Sequence, residues 1–340
     1  MMQEERYAME EFQALNTSIT AVLPSEPSPK RDDSRWIREW FAYVEQTFSR
    51  FLRASELSRL NRSDGRPMLV SANMLEVLQL CRYFIRKTGG IFNPFVLQAL
   101  MRAGYTDSFE RLQREPAGHN PFGEQPPYGG QAGMNSLDAR DEDWALDEGM
   151  GAVKLPQSGG LDLGGIVKGW AVDRMTARLR DSGVTAGMLD AGGDLAVWGG
   201  TPDSPWPIEV ADPFCPEQSI AVVNLIYGAA ATSSRMKRRW RTVRGEMHHL
   251  IDPRTMLPGD SDIVQCTVIG QDVSACEVYA KTVLLLGSEA GEIWLRSAGL
   301  APAYQFLIVT ERGERRYIGT SQQYNAQWKG FEGKLAFVTL

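Results

Sequence analysis

Residues 161–194 read LDLGGIVKGWAVDRMTARLRDSGVTAGMLDAGGD, and the fold is decided by how this stretch is read. Asp162-Leu163-Gly164-Gly165 opens it and Asp190-Ala191-Gly192-Gly193-Asp194 closes it. Two glycine-rich corners, each with an acid beside it, thus flank an amphipathic helix that starts near Ile166 and stops at Gly183, followed by a strand. Glycine lets a backbone come close to a ligand, and unpaired N–H groups at a helix start attract anions. Lys168, one turn into the helix, adds a point charge suited to a phosphate. The stretch reads as a site for a phosphate-bearing ligand. It is neither a G-x-x-x-x-G-K-[S/T] loop nor a G-x-G-x-x-G fingerprint.

Outward from this unit, residues 35–48 place Trp36, Ile37, Trp40, Phe41, Val44 and Phe48 on a helical stripe. Ser71 can cap a helix over 73–87 that Gly89-Gly90 ends, and a further helical stretch over 94–103 stops at Gly104. Ser274 starts a second strong helix, running to Leu286 and closed by Gly287. Strand character falls at 18–23, 207–211, 220–225, 263–269, 303–309, 316–319 and 334–339. Helices come early, strands cluster late, and no regular βαβ repeat is visible, which predicts an α+β fold with a mixed sheet and flanking helices. Residues 1–14 are expected to be frayed and 15–340 to form a single domain. Residues 117–136, rich in Gly, Pro and Gln, are expected to be a long loop.

Composition narrows the function. Of 340 residues, 36 are Lys or Arg and 42 Asp or Glu, and the net charge of −6 argues against a nucleic-acid or anionic-membrane binder. The one basic run, RMKRRWRTVR at 235–244, reads first as a solvated face and second as a phosphate-facing edge. Cys81, Cys215, Cys266 and Cys276 have no metal-ligand spacing and are expected to be buried free thiols. The start MMQEERYAMEEF lacks a basic n-region and an apolar core, and no apolar run reaches the ~20 residues of a membrane span, so no membrane insertion and a cytoplasmic location are expected.

Five motifs in order carry a resemblance: SELSRLN at 55–61, TGGIFNPFV at 88–96, DLGGIVKGWAVDR from Asp162, the strand into DAGGD, and HHLIDPRT at 248–255. Together, over roughly residues 15–310, they resemble the FAD:protein FMN transferase family, the ApbE family once tied to thiamine biosynthesis. The resemblance implies an ApbE-like fold and an enzyme that binds FAD, normally with Mg²⁺. It implies transfer of FMN to a Thr or Ser hydroxyl of an acceptor protein, electron-transfer related in many members, with release of AMP. The alternative is an FAD-binding protein or an FAD pyrophosphatase with a weakened metal site.

By the same resemblance, Asp162 is a flavin contact, Gly165 offers a carbonyl to the metal, and Lys168 contacts FAD. Asp190, Gly192, Gly193 and Asp194 form the turn beneath the flavin. Taken alone, Asp162 is as well read as a helix cap, Lys168 as a surface lysine, and the second corner as a β-turn. Phe51 stands where a stacking aromatic is found, although a lone Phe is more often core. Ile91, Phe92 and Asn93 match a ring- or adenine-side contact. Thr232, with Ser233, and Ile251 match positions against the flavin site, a polar turn being the plain reading of the former pair. His249 and Asp252 are the catalytic candidates: transfer to a hydroxyl needs a base, and histidine titrates near neutrality. Neighbours on a strand point to opposite faces, so only one of His248 and His249 reaches the site, and the motif favours His249.

The first departures concern the metal. The acid and threonine that many members direct at Mg²⁺ from the late helix are Glu277 and Lys281 here, on one helix face. A glutamate can ligate Mg²⁺, whereas an ammonium only donates. Either Glu277 and the Gly165 carbonyl still hold Mg²⁺, or Lys281 supplies part of its charge. Asn93, Phe95, Leu15-Asn16-Thr17 and Met256 stand where the family has Asp, Thr, an MGT-type start and Gly.

Overall fold

The computed structural model describes residues 7–25, 32–112, 144–157, 159–242, 245–300 and 302–331. They divide into two compact units interleaved along the chain: Met1–Tyr43, Lys168–Met236 and Ser261–Leu340 make the first, Val44–Val167 and Lys237–Asp260 the second.

The first unit is built on an eight-stranded sheet, in the order Tyr7–Ala14, Thr17–Pro24, Gly187–Ala191, Leu195–Trp198, Gly228–Ser234, Ile263–Gly270, Gln305–Thr310, Arg315–Ile318. Every neighbouring pair in it is antiparallel. Strands Ile263–Gly270 and Gln305–Thr310 are buried at every residue, as strands covered on both faces are. The helix Val273–Leu286 packs on Ile263–Gly270 and Gly228–Ser234. A smaller sheet, Trp328–Lys329 with Ser219–Leu225 and Trp206–Ala211, shares an apolar cluster with the large sheet through Val210, Val223, Leu307 and Tyr317.

The helix Val167–Asp181 begins where the glycine corner predicts and ends before Gly183, whose φ is 93°. It lies so close to the start of Val273–Leu286 that a Cβ on Gly169 would sit 2.6 Å from the Ser274 Cα. The Asp173 carboxylate accepts from the Val273 and Ser274 N–H groups at 2.8 and 2.9 Å and from the Ser274 hydroxyl at 2.7 Å, capping that helix from its neighbour.

The second unit carries the helices Glu56–Asn61, Ala72–Lys87 and Leu97–Arg102, the first two capped by Ser55 and Ser71. Asn61 closes a pair of bonds with the Leu161 backbone, fixing the entry to the first corner. The strands Arg239–Thr242 and Gly245–His248 form a hairpin, with Ile251–Asp252 paired to Leu257–Pro258 beyond it.

Several expectations need correction. Residues 7–14, expected to be frayed, form an edge strand, because Leu15 and Asn16 adopt φ of 54° and 55° and reverse the chain onto Thr17–Pro24. Thr232 and Ser233 lie in a strand rather than a turn. Cys215 is exposed, while the other three cysteines are buried free thiols. The helices Ser288–Ala298 and Ser321–Gln327 were not visible in the periodicity. The loop at 117–136 and the closing strand at 334–339 lie outside the described residues. Among the described residues, no helix is long and apolar enough to cross a membrane.

Candidate functional site

The residues singled out by sequence divide between the two units. Lys168, Asp190, Gly192, Gly193, Thr232, Glu277 and Lys281 belong to the first; Phe51, Ile91, Phe92, Asn93, Asp162, Gly165, His249, Ile251 and Asp252 belong to the second.

In the first unit three of the charges meet. The Lys168 ammonium donates to Asp194 and, at 2.7 Å, to Glu277 Oε1, while the Gly169 N–H donates to Glu277 Oε2 at 3.0 Å. Asp194 and Glu277 are buried, and the Lys168 side chain is 15% exposed, so it is no solvated surface lysine. Burial pulls the ammonium toward neutrality, but the two carboxylates outweigh it and hold its pKa above the usual lysine value. Burial pushes Asp194 up, a shift that Lys168 opposes and Glu277 reinforces. One ammonium faces two carboxylates, so the cluster keeps an excess negative charge.

The second corner of the opening stretch leads into this cluster. Asp190 Oδ1 accepts from the Gly193 N–H at 2.7 Å, and Gly192 and Gly193 adopt φ of 73° and 96°. A Cβ on Gly192 would lie 2.1 Å from Thr17 Oγ1, whereas one on Gly193 would meet nothing within 4 Å. Thr17 ends the Leu15-Asn16-Thr17 turn, so two motifs read separately in sequence pack together. Thr232 pairs across strands with Thr267, their hydroxyls 2.9 Å apart.

A divalent cation fits these side chains poorly. Each Glu277 oxygen already accepts a hydrogen bond, one of them from an ammonium, and Lys281 fills the position of the second expected ligand. A cation would have to displace Lys168 from Glu277 against the attraction of the buried carboxylate. Among the described residues, no three His, Cys, Asp or Glu side chains form a group that could hold a metal ion.

In the second unit, Asp162 is not a helix cap. Its Oδ1 accepts from the Gly164 N–H at 2.9 Å and its Oδ2 from Arg50 Nε at 2.7 Å. The Arg50 guanidinium lies 4.1 Å from the Phe51 ring centre and 4.7 Å from that of Tyr105. Trp240, from the basic run, stacks on Tyr105 at 5.1 Å and donates to the Ala103 carbonyl at 2.7 Å. That run is thus not one solvated stripe: Trp240 turns inward, and Arg235 and Arg239 pair with Glu311 and Glu246. Ile251 and half-buried Phe51 belong to the same apolar cluster. Ile91 and Phe92 are buried, Phe92 packing edge-on against Phe84, and Asn93 accepts from the Phe95 N–H at 2.9 Å.

The histidine pair is resolved by its bonds. His248 Nδ1 accepts from the Leu250 N–H at 3.3 Å, which leaves Nε2 as the donor to the Gly259 carbonyl at 2.9 Å. Both nitrogens are committed to backbone, so His248 is a structural anchor. His249 is half-buried just past the hairpin. Asp252 is buried and gripped by the Arg254 guanidinium at 2.7 to 3.1 Å, and its carbonyl accepts from the Met256 N–H at 2.8 Å. Met256 takes φ of 58°, where the resemblance places a glycine.

Sequence reasoning missed Arg50, Tyr105, Trp240, Asp173 and Arg254. Arg50 adjoins Phe51 and Arg254 adjoins the Asp252 motif, but a single arginine beside a motif has no period or spacing that sets it apart.

The described residues combine an α+β scaffold with a buried lysine–carboxylate cluster in the first unit and a histidine-bearing hairpin in the second. The ApbE family profile matches residues 15–304, and the chain belongs to the ApbE family. It is 27% identical to the FAD:protein FMN transferase of Klebsiella pneumoniae, over 71% of this chain and 72% of that one. The FAD:protein FMN transferase of Treponema pallidum is 25% identical over 71% and 68%. Among solved structures, the ApbE protein of Thermotoga maritima superposes with a TM-score of 0.74 at 25% identity, covering 91% of this chain and 96% of its own. The flavin transferase ApbE of Vibrio cholerae superposes with a TM-score of 0.72 at 19% identity, covering 94% and 98%.

Proposed function

We propose that the protein is an FAD:protein FMN transferase that moves FMN from FAD to a Thr or Ser hydroxyl of an acceptor protein. The observation that carries this reading is the family match across residues 15–304, with relatives of that name aligned over about seven-tenths of the chain. In the step, the acceptor oxygen bonds to the FMN phosphorus and the P–O bond to the AMP moiety breaks. The hydroxyl proton goes to His249, and AMP leaves with the bond's electron pair. His248, tied at both nitrogens, holds the hairpin end, and Asp252 with Arg254 shapes the turn after it. Asp162, Phe51 and the second glycine corner are assigned to the flavin nucleotide.

Phosphoryl transfer depends on positioning and charge neutralisation. Because Glu277 is already engaged and the Lys168 charge is taken up by two carboxylates, the neutralising charge is assigned to Lys281 rather than to Mg²⁺. The acceptor is assigned a Ser/Thr flavinylation motif on an electron-transfer protein.

The test is incubation with FAD and such an acceptor domain, with Mg²⁺ or with a chelator, reading acceptor mass and AMP together. A gain of one FMN with matching AMP supports the transferase, and persistence in chelator supports the lysine assignment. AMP without acceptor gain turns the reading to a pyrophosphatase. FAD bound with neither product sinks the role of His249.

A further inference from the structure

We propose that Arg50 is a positioning residue that sets the Asp162 carboxylate, and the Phe51 ring beside it, in the orientation that meets the flavin nucleotide. The inference rests on the reading of Asp162 as a ligand contact. It starts from a juxtaposition the sequence did not show: Asp162 and Phe51, 111 positions apart by subtraction of their residue numbers and placed at the flavin for separate reasons, both touch Arg50. The Arg50 side chain is 7% exposed. Its Nε reaches Asp162 Oδ2 at 2.7 Å, a terminal nitrogen donates to the Tyr105 carbonyl at 2.8 Å, and its Cζ lies 4.1 Å from the Phe51 ring centre and 4.7 Å from that of Tyr105.

Guanidinium is suited to this. It is planar and permanently charged, donates in a fixed fork, and stacks on aromatic faces, none of which lysine combines. Asp162 is meanwhile held on its remaining sides. Its N–H donates to the Pro94 carbonyl at 2.8 Å, and its Oδ1 takes the Gly164 N–H. Arg50 is thus what fixes the second carboxylate oxygen. Phe51, Arg50, Tyr105 and Trp240 form a run of planar groups in which Arg50 alone carries the charge that reaches the acid. A carboxylate turned away from its productive direction loses far more than its distance shift suggests, because hydrogen bonding is steeply angular.

FAD affinity and thermal midpoint would be measured on the full chain for wild type, R50K, R50M, D162N and R50M/D162N. R50M is expected to weaken FAD binding about tenfold, in line with the loss of a group that orients a ligand contact. R50K restores part of it, because the charge returns without the stacked fork. In the D162N background R50M changes affinity by less than about twofold, since Arg50 acts through the acid. Affinity reads only the folded fraction, so a merely structural Arg50 would lower the midpoint and leave the dissociation constant alone. The double variant removes both charges of the pair together and guards against singles that fail to fold. Losses that multiply in the double variant, or an R50M affinity equal to wild type while D162N binds weakly, overturn the inference and leave the Asp162 reading standing. A D162N affinity equal to wild type overturns both.

Discussion

The corners at either end of residues 161–194 read alike, an acid followed by paired glycines, yet they are built on different principles. In the first, Asp162 is anchored by a cation, Arg50, and its Oδ1 holds the turn through the Gly164 N–H. In the second, Asp190 Oδ1 takes the Gly193 N–H, and the work passes to Gly192 and Gly193, which take φ values closed to most side chains. The first corner fixes a side chain; the second fixes a main-chain path. An acid–glycine motif therefore does not say which of its members matters, and the two corners predict opposite sensitivities.

Lys168 follows the first corner in sequence and Asp194 closes the second, and these two side chains meet in the buried cluster of the first unit. Removing the lysine between them, K168M, takes from buried Asp194 and Glu277 the ammonium they share, at a cost of about 3–5 kcal/mol. E277Q should cost far less, since Lys168 keeps Asp194 and an amide oxygen can still accept from Gly169. Urea midpoints for the two variants test this, and equal losses would mean that the cluster is not held by Lys168. The K168M deficit should shrink on acidification, as the orphaned carboxylates protonate rather than stay charged.

Next in size is Gly192→Ala. A Cβ there meets Thr17 Oγ1 at 2.1 Å and strains a backbone at φ 73°, a combined loss of about 2–4 kcal/mol. G192A/T17A should recover the steric share and leave the backbone share. Gly164→Ala in the first corner should cost less, because its Cβ would meet only Asp162 Oδ1, at 3.1 Å. If thermal melts rank Gly164→Ala above Gly192→Ala, the distinction between the corners fails.

Asp173, between the corners, is a third case: a buried acid with donors around it. Burial lifts its pKa to about 6 against the hydrogen bonds from Val273 and Ser274. A carboxyl raised from 3.8 to about 6 contributes stability that is full below about pH 4 and lost as pH climbs through 6. Over that window wild type should lose about 3 kcal/mol relative to D173N, from roughly two pKa units at 1.36 kcal/mol each. Stability curves for both proteins from pH 4 to 7.5 that run parallel would refute the shift.

How much of this was legible follows the same division. The helix Val167–Asp181, its glycine ends and the Ser71-capped helix were readable because caps, stops and periodicity are local. The strand Tyr7–Ala14 was not, since its partner and its turn at Leu15-Asn16 have no common signal: leucine is a poor marker of positive φ. Lys168 could be read as a phosphate ligand but not as the centre of an ion cluster, because Glu277 lies 109 positions away. Arg50 failed for the same reason. What sequence shows well is the shape of a corner, and what it hides is which distant charge leans on it.

A third corner, Asp252-Pro253-Arg254-Thr255-Met256, supplies the smallest effect and the finest discrimination. Here an acid is anchored by a cation, as in the first corner, while a positive φ is required, as in the second, yet the residue at φ 58° is Met256. Left-handed backbone costs a non-glycine residue about 1–2 kcal/mol, which glycine would relieve. Against this, glycine adds unfolded-state freedom worth about 0.5–1 kcal/mol, and the half-buried Met256 side chain gives up its packing on the Tyr105–Trp240 cluster. M256G should therefore change stability by less than about 1 kcal/mol in either direction, with M256A clearly worse because it keeps the strain and loses the contacts. Should M256A match M256G in thermal melts, the turn is fixed by the Asp252–Arg254 pair alone, and positive φ at its end carries no cost to relieve.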